Sequence, residues 1–360
     1  MHWLLLALLL AVVAAVLAVR LRRRREEAQA YLKGVRSMIS DDPDAAILAL
    51  SDAARLGSPE ALETYLALGE LFRRTGDLPR AIRLHRNMLH RPGLDPARRS
   101  QVERELADDY RRVGMFTEAV ETYQRLAGAD PAAAQGLRDA LVAQGKMEAA
   151  IDVHSRLCPP DRRLLAHLLA GKARSGAEGA PSDLGAAARA VEADETSADA
   201  LLARAEAEAA QGRAEEAAES AGRALRLEPR AALLAWDALA ALPGDRALAL
   251  IDGELRSRPE DSRLLLLRGR LLARSGRTGD ALGDVRRAME VDGDGEVTLS
   301  VRELLREAAA PSPEELEVRH DLMVAALGRH VRLLRCRGCG AGAAGRAWRC
   351  PRCGLFDAYP

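Results

Sequence analysis

"LGELFRRTGDLPRAIRLHRNML", residues 68 to 89, reads as two helices folded back on one another. Gly76 closes the first helix, the position that glycine favours. Ala81, five residues on, sits inside the second. Gly69, seven residues before the turn, leaves room for the two helices to approach closely, and the bulky Phe72 lies three further on.

The same glycine-to-alanine spacing returns at Gly114/Ala119, Gly145/Ala150, Gly212/Ala217 and Gly276/Ala281. The small residue seven before the turn recurs as Ala107, Ala205 and Gly269, and the bulky one as Tyr110 and Leu272. Self-similarity of this kind marks a repeat architecture. Composition agrees: 48% of residues are hydrophobic but only 3% aromatic, as expected for helices packed through small side chains. With 53 basic and 53 acidic residues the net charge is zero, which argues against a nucleic-acid binder.

The pattern resembles the tetratricopeptide repeat over roughly residues 28 to 290, and Pro131 and Pro229 fit that repeat's late proline. Weaker copies place Gly34 and Ala46, then Ala247 and Pro259, in the expected positions. Residues 162 to 193 read as a degenerate repeat with a loose Gly/Ser/Pro turn. Stacked hairpins of this type form a superhelix whose concave face, lined by first helices, docks protein segments. The register puts Glu63, Leu66, Glu70, Arg73, Arg104, Asp108 and Arg111 on that face as candidate docking residues.

At the N-terminus, Trp3 to Val19 form an uncharged, almost wholly aliphatic stretch followed by Arg20 and Arg22 to Arg25. Charge after the apolar stretch, with no small-x-small cleavage site, predicts an uncleaved anchor rather than a signal peptide. The positive-inside rule then leaves the bulk of the chain in the cytoplasm. The arginine run also suits anionic lipid headgroups.

The C-terminus, "RCRGCGAGAAGRAWRCPRCG" at residues 335 to 354, holds Cys336, Cys339, Cys350 and Cys353. Two Cys-x-x-Cys-Gly turns facing each other supply four sulfurs to one tetrahedral centre, and paired thiols in a reducing compartment more often hold metal than form disulfides. The expected cofactor is one ion, iron or zinc. Four protein ligands leave no open position, so the site reads as structural. The loop between the turns has almost no side chains to bury, so without metal the tail is expected to be disordered. Trp348, Phe356 and Tyr359 are the expected apolar lid on the cage or on the repeats.

His154 and Cys158 are four apart, but a core histidine and a small buried hydrophobe explain them better than a second metal site. The acidic run Asp292 to Glu296 begins like a calcium loop, yet Val297 stands where such a loop needs glycine, so it reads as a turn. No phosphate loop, paired carboxylates or nucleophile motif appears, and no enzyme is expected.

Anchor, repeats and terminal cysteines together resemble the lipopolysaccharide assembly protein B family, most specifically at Leu68 to Leu89 and at the cysteine turns. The implied fold is an all-α tetratricopeptide-repeat superhelix. It carries one transmembrane helix (1–20), a basic juxtamembrane segment (21–30), a repeat array of about seven to nine hairpins (31–330) and a rubredoxin-like metal domain (331–360). The loop between the cysteine turns is far shorter than in rubredoxin.

The resemblance further implies a single-pass inner-membrane adaptor with its bulk on the cytoplasmic side. Such an adaptor presents the deacetylase of lipid A synthesis to a membrane-anchored AAA+ metalloprotease and associates with other lipopolysaccharide assembly proteins. Its contacts would be with proteins and membrane, not nucleic acid, and self-association is left open. A metal- or redox-sensing tethered scaffold with other clients is the alternative.

Overall fold

The computed structural model describes residues 2–39, 43–56, 62–90, 94–156, 161–175, 183–292, 297, 334–343 and 347–359. They divide into two compact units, Met1–Ala140 and Leu141–Pro360. Cys158, the 176–182 turn of the degenerate repeat and residues 293–296 of the acidic run lie outside the described residues.

In the first unit, α1 (His2–Ile39) and α2 (Pro43–Leu56) precede the hairpin of α3 (Leu62–Arg74) and α4 (Leu78–Leu89). The next hairpin is α5 (Pro96–Val113) with α6 (Phe116–Leu126), and α7 (Pro131–Ala143) opens the third. The second unit continues with α8 (Met147–Ser155), then α9 (Arg162–Arg174) with α10 (Leu184–Ala193) and α11 (Ala198–Ala210) with α12 (Ala214–Leu227). A 3-10 turn (Pro229–Leu234), α13 (Trp236–Ala240) and α14 (Gly244–Ser257) lead to α15 (Ser262–Arg274) and α16 (Thr278–Val291). Strands β1 (Leu334–Arg335) and β2 (Gly342–Ala343) form an antiparallel pair near the C-terminus.

The five glycine turns are one structure repeated. Gly76, Gly114, Gly145, Gly212 and Gly276 all have φ between 75° and 87°, a region that a side chain at Cβ disfavours. In each, the N–H after the glycine reaches back to the carbonyl five residues earlier: Asp77 to Phe72 at 2.8 Å, Met115 to Tyr110 at 2.9 Å, Lys146 to Leu141 at 2.9 Å, Arg213 to Glu208 and Arg277 to Leu272 at 3.0 Å. This closure satisfies carbonyls that the helix end would otherwise leave bare. Ala81, Ala119, Ala150, Ala217 and Ala281 are all buried, so the spacing read from the sequence marks the seam of each hairpin.

Close approach is most demanding at Gly136 and Gly69. A Cβ at Gly136 would meet Tyr123 Cζ at 2.4 Å, and one at Gly69 would meet His85 Nε2 at 2.4 Å. Glycine-to-alanine inside a helix ordinarily stabilises by up to about 1 kcal/mol. Here overpacking reverses the sign, and Gly136→Ala is expected to cost about 1–3 kcal/mol in urea unfolding. A neutral or stabilising result would mean that the Tyr123 ring does not lie across that helix.

Two readings are refined by the structure. The degenerate stretch is a real hairpin: Asp161 and Asp183 cap α9 and α10 by accepting from the N–H groups of Leu164 and Ala186, both at 3.0 Å. The repeat around Ala247 lacks an intact first helix, which is broken into the 3-10 turn and the five-residue α13. Trp236 at that break lies 4.1 Å beneath the Arg270 guanidinium.

The transmembrane helix expected at residues 1–20 is not supported. Among the described residues no helix is long and apolar enough to cross a membrane. Seventeen helical residues span about 26 Å, the short end of what crosses a hydrocarbon core of about 30 Å, and α1 then runs on through the arginines. Its described apolar residues Val12, Val16, Leu17 and Val19 are exposed.

Candidate metal centre and its seat on the repeats

Two matching turns build the centre. In the first, Gly340 N–H donates to the Cys336 carbonyl at 2.9 Å and Cys336 N–H to the Ala341 carbonyl at 3.0 Å. In the second, Gly354 N–H donates to the Cys350 carbonyl at 2.9 Å and Cys350 N–H to the Leu355 carbonyl at 2.8 Å. Gly340 and Gly354 supply the positive φ that each turn requires, 68° and 75°. The β1–β2 pairing beside the first turn has its counterpart in the Arg349–Phe356 bridge beside the second.

All four cysteine sulfurs lie within 4.8 Å of one another. Cys336 and Cys353 sulfurs are 3.5 Å apart and those of Cys339 and Cys350 are 3.8 Å apart, too far for disulfides. A tetrahedron of thiolates at the usual metal–sulfur length has edges of about 3.8 Å, so the set fits one zinc or iron ion. Backbone donors prepare the charge. Gly338 N–H points at the Cys336 sulfur at 3.3 Å. Burial opposes ionisation of Cys350, but the backbone N–H groups of Cys353 and Arg352 outweigh it and lower that thiol to about 6. Burial pushes Cys339 and Cys353 up, the expected cost of crowding four thiols that a metal would deprotonate. Elemental analysis of the purified chain is therefore expected to return one zinc or iron per chain. A metal-free chain with all four thiols titratable would exclude the site.

The lid residues divide between two tasks. Tyr359 is buried in the cluster with Cys336 and Cys350, whereas Trp348 and Phe356 face the repeats. Phe356 stacks on the His167 ring of α9 at 5.3 Å and 18°, and Trp348 tilts against the same ring at 5.7 Å. Asp357 binds Arg163 Nε at 2.6 Å and His167 Nε2 at 3.1 Å. Behind His167, Asp199 of α11 takes Nδ1 at 2.6 Å and is itself held by Arg174 at 2.6 Å. Arg349 Nη1 donates to the Val142 carbonyl at 3.4 Å, a second point of attachment.

Two carboxylates flanking one imidazole fix its charge. Burial opposes protonation of His167, but hydrogen bonds to Asp199 and Asp357 prevail and raise it to about 9. Asp357 is lowered in turn: burial works against its charge, and His167 and Arg163 outweigh that. Sequence reading missed this constellation, because its members stand at 163, 167, 199 and 357 and no local motif joins them.

The candidate docking residues of the first unit are mostly tied to one another. Arg73 is 4% exposed and bonds Glu105 at 2.5 Å, Glu70 at 2.9 Å and Asp109 at 3.5 Å. Asp109 accepts from the His85 ring at 2.6 Å, and both side chains are fully buried. Asp108 accepts from Arg111 at 3.3 Å and from the Tyr123 hydroxyl at 2.5 Å. Burial first, then the Asp108 charge, pushes Tyr123 well above the ordinary tyrosine range. Arg104 reaches Asp130 at 3.4 Å. Leu66 packs with the cluster of Leu62, Met88 and Val102, and Glu63 is exposed.

The tetratricopeptide repeat family model matches residues 40–87, 104–162 and 232–296. Over 130 residues the chain is 29% identical to lipopolysaccharide assembly protein B of Escherichia coli strain K12. It resembles that protein. The matched stretch is 35% of this chain and about a third, 33%, of the relative's length, and the O157:H7 counterpart gives the same figures. Together with the repeats and the four-cysteine cluster, the match supports the resemblance to lipopolysaccharide assembly protein B.

Among solved structures, a tetratricopeptide repeat protein from Parabacteroides merdae is 19% identical, covering 78% of this chain and 98% of its own, with a TM-score of 0.36. Yeast Tom70 is 16% identical, covering 83% and 69%, with a TM-score of 0.30. Scores this low leave the fold assignment resting on the repeats themselves.

Proposed function

We propose that this chain is a non-enzymatic adaptor in lipopolysaccharide assembly, holding protein clients on its repeats and working at the membrane. The observation that carries the reading is the joint presence, on one chain, of a tetratricopeptide array and a four-sulfur module, with the stretch similar to lipopolysaccharide assembly protein B. Repeat proteins of this kind present extended surfaces to partners rather than catalytic groups. The client is the deacetylase of lipid A synthesis, and the partner that receives it is the membrane AAA+ metalloprotease. Confining all three to one membrane plane raises their effective concentration without any new contact.

Membrane association is assigned to α1. Its exposed Val12, Val16, Leu17 and Val19 offer apolar surface, and the arginines that follow suit anionic headgroups. Deleting residues 2–20 is expected to move the chain from the membrane fraction to the soluble one. Cross-linking in cells followed by purification of the full chain is expected to recover the deacetylase and the protease. Recovery of neither, from a chain that sediments with membranes, would remove the adaptor reading.

A second reading has one observation in its favour. Cys339 and Cys353 are only half-buried, so the centre is within reach of small oxidants. In that reading the site holds iron and reports redox state. An iron tetrathiolate colours the protein red and a zinc one leaves it colourless, so a visible spectrum separates the two.

A further inference from the structure

We propose that the face of α9 around Arg163 and His167 is a docking pocket for a short peptide presenting an aromatic side chain followed by a carboxylate, and that the chain's own Phe356–Asp357 fills it as an internal occupant. This goes beyond the adaptor reading, which assigns no pocket to any client.

Three observations carry it. First, the site is built from behind. His167 is 2% exposed and its ring is fixed by Asp199, which Arg174 holds in turn, so one nitrogen and one ring face are presented before anything docks. Prepositioned groups of this kind lower the ordering cost of a ligand. Second, the occupant uses peptide-like chemistry. One aromatic ring stacks on the imidazole, and the next residue's carboxylate spans two cations, Arg163 and His167. Neither Phe356 nor Asp357 belongs to the set of sulfur ligands, so the pocket reads two side chains and not the metal.

Third, the internal occupant is a compromised ligand. Asp357 is held at φ 46°, the one described non-glycine residue at positive φ, a backbone conformation less favourable for a side-chain-bearing residue than the extended or helical one. The Arg163 side chain is 63% exposed, so its ion pair with Asp357 is screened by water and weak. A partner segment free of the second cysteine turn can place the same two side chains without that backbone conformation. The pocket is thus open to exchange, and the seated module sets the threshold that a partner must exceed.

The test uses the full metal-loaded chain and a fluorescent peptide of sequence Gly-Leu-Phe-Asp-Ala-Tyr-Pro. Wild type is compared with Phe356→Ala/Asp357→Ala, which vacates the pocket and keeps all four cysteines. Asp357→Asn runs in parallel as a shape-conserving variant. Metal content and helical circular dichroism confirm that each is folded. The vacated variant is expected to bind the peptide about tenfold or more tighter than wild type, with Asp357→Asn between them. Adding Arg163→Glu to the vacated variant is expected to abolish binding, as is replacing Phe and Asp in the peptide by Ala and Asn. Equal binding to wild type and both variants, or binding that survives Arg163→Glu, overturns the proposal. Wild type that pairs through exchanged tails, seen as a dimer by light scattering while the vacated variants ignore the peptide, overturns the partner assignment as well.

Discussion

A chain carrying Cys336→Ser and Cys350→Ser is expected to lose its metal and the fold of residues 334–343 and 347–359 together. Among the described residues the buried core of this module is Cys336, Cys350, Ala358 and Tyr359, so two of its four members are themselves candidate ligands. A unit this small has too little apolar surface to offset its chain entropy. Structural four-thiolate sites contribute apparent free energies of about 10–16 kcal/mol at neutral pH, enough to decide whether such a unit folds at all. The repeats should stand: their cores are built mainly from buried leucines and alanines and include none of the four terminal cysteines. Metal analysis should therefore fall from one equivalent to none, amide exchange across 334–343 and 347–359 should lose protection, and the helical signal should persist. Retained protection of the metal-free module would show that its turns fold without an ion.

Removing the imidazole at position 167 is expected to have the next largest effect. Its side chain is buried between Asp199 and Asp357, and Asp199 is itself 2% exposed. Deleting one member of a buried charged group strands its partner, at a cost of about 3–5 kcal/mol. Arg174 still neutralises part of Asp199, so His167→Ala should fall at the lower end of that range.

The same geometry sets a pH dependence. The groups facing His167 are Asp199, with Arg174 behind it, and Asp357, with Arg163 beside it. A histidine raised from 6.5 to about 9 stabilises the folded state fully below pH 6.5. That contribution, about 3 kcal/mol from the size of the shift, is lost as pH rises through about 9. Asp357 is lowered, so its own contribution is present above the ordinary carboxylate range and disappears on strong acidification. Stability measured from pH 6 to pH 10 should decline in wild type and be flatter in His167→Ala. Parallel curves for the two proteins would show that His167 does not carry the charge.

How much of this was legible in the sequence follows from how local each feature is. The five turns were legible because only glycine fits their positive φ comfortably and because alanine is needed where helices touch, two demands set by backbone and volume at fixed spacing. The four-cysteine cluster was legible for a similar reason, since each half is a five-residue turn. The seat of the module was not. His167 pairs with residues 32 and 190 positions away, and a repeat register says which side of a helix a residue occupies, not which partner the fold delivers. Arg73 illustrates the same limit from the other direction. Its register places it on a helix face, but does not say that four carboxylates from α3 and α5 converge on it. The broken first helix before α14 also escaped notice, because Pro229–Leu234 has helical composition and forms only a 3-10 turn.

The adaptor account is tested most directly by the half-life of the lipid A pathway deacetylase in cells depleted of this chain and rescued with wild type or with Cys336→Ser/Cys339→Ser. The account predicts that depletion prolongs the half-life, that wild type restores it, and that the cysteine variant does not. An unchanged half-life on depletion would contradict it, and the repeats would then serve other clients.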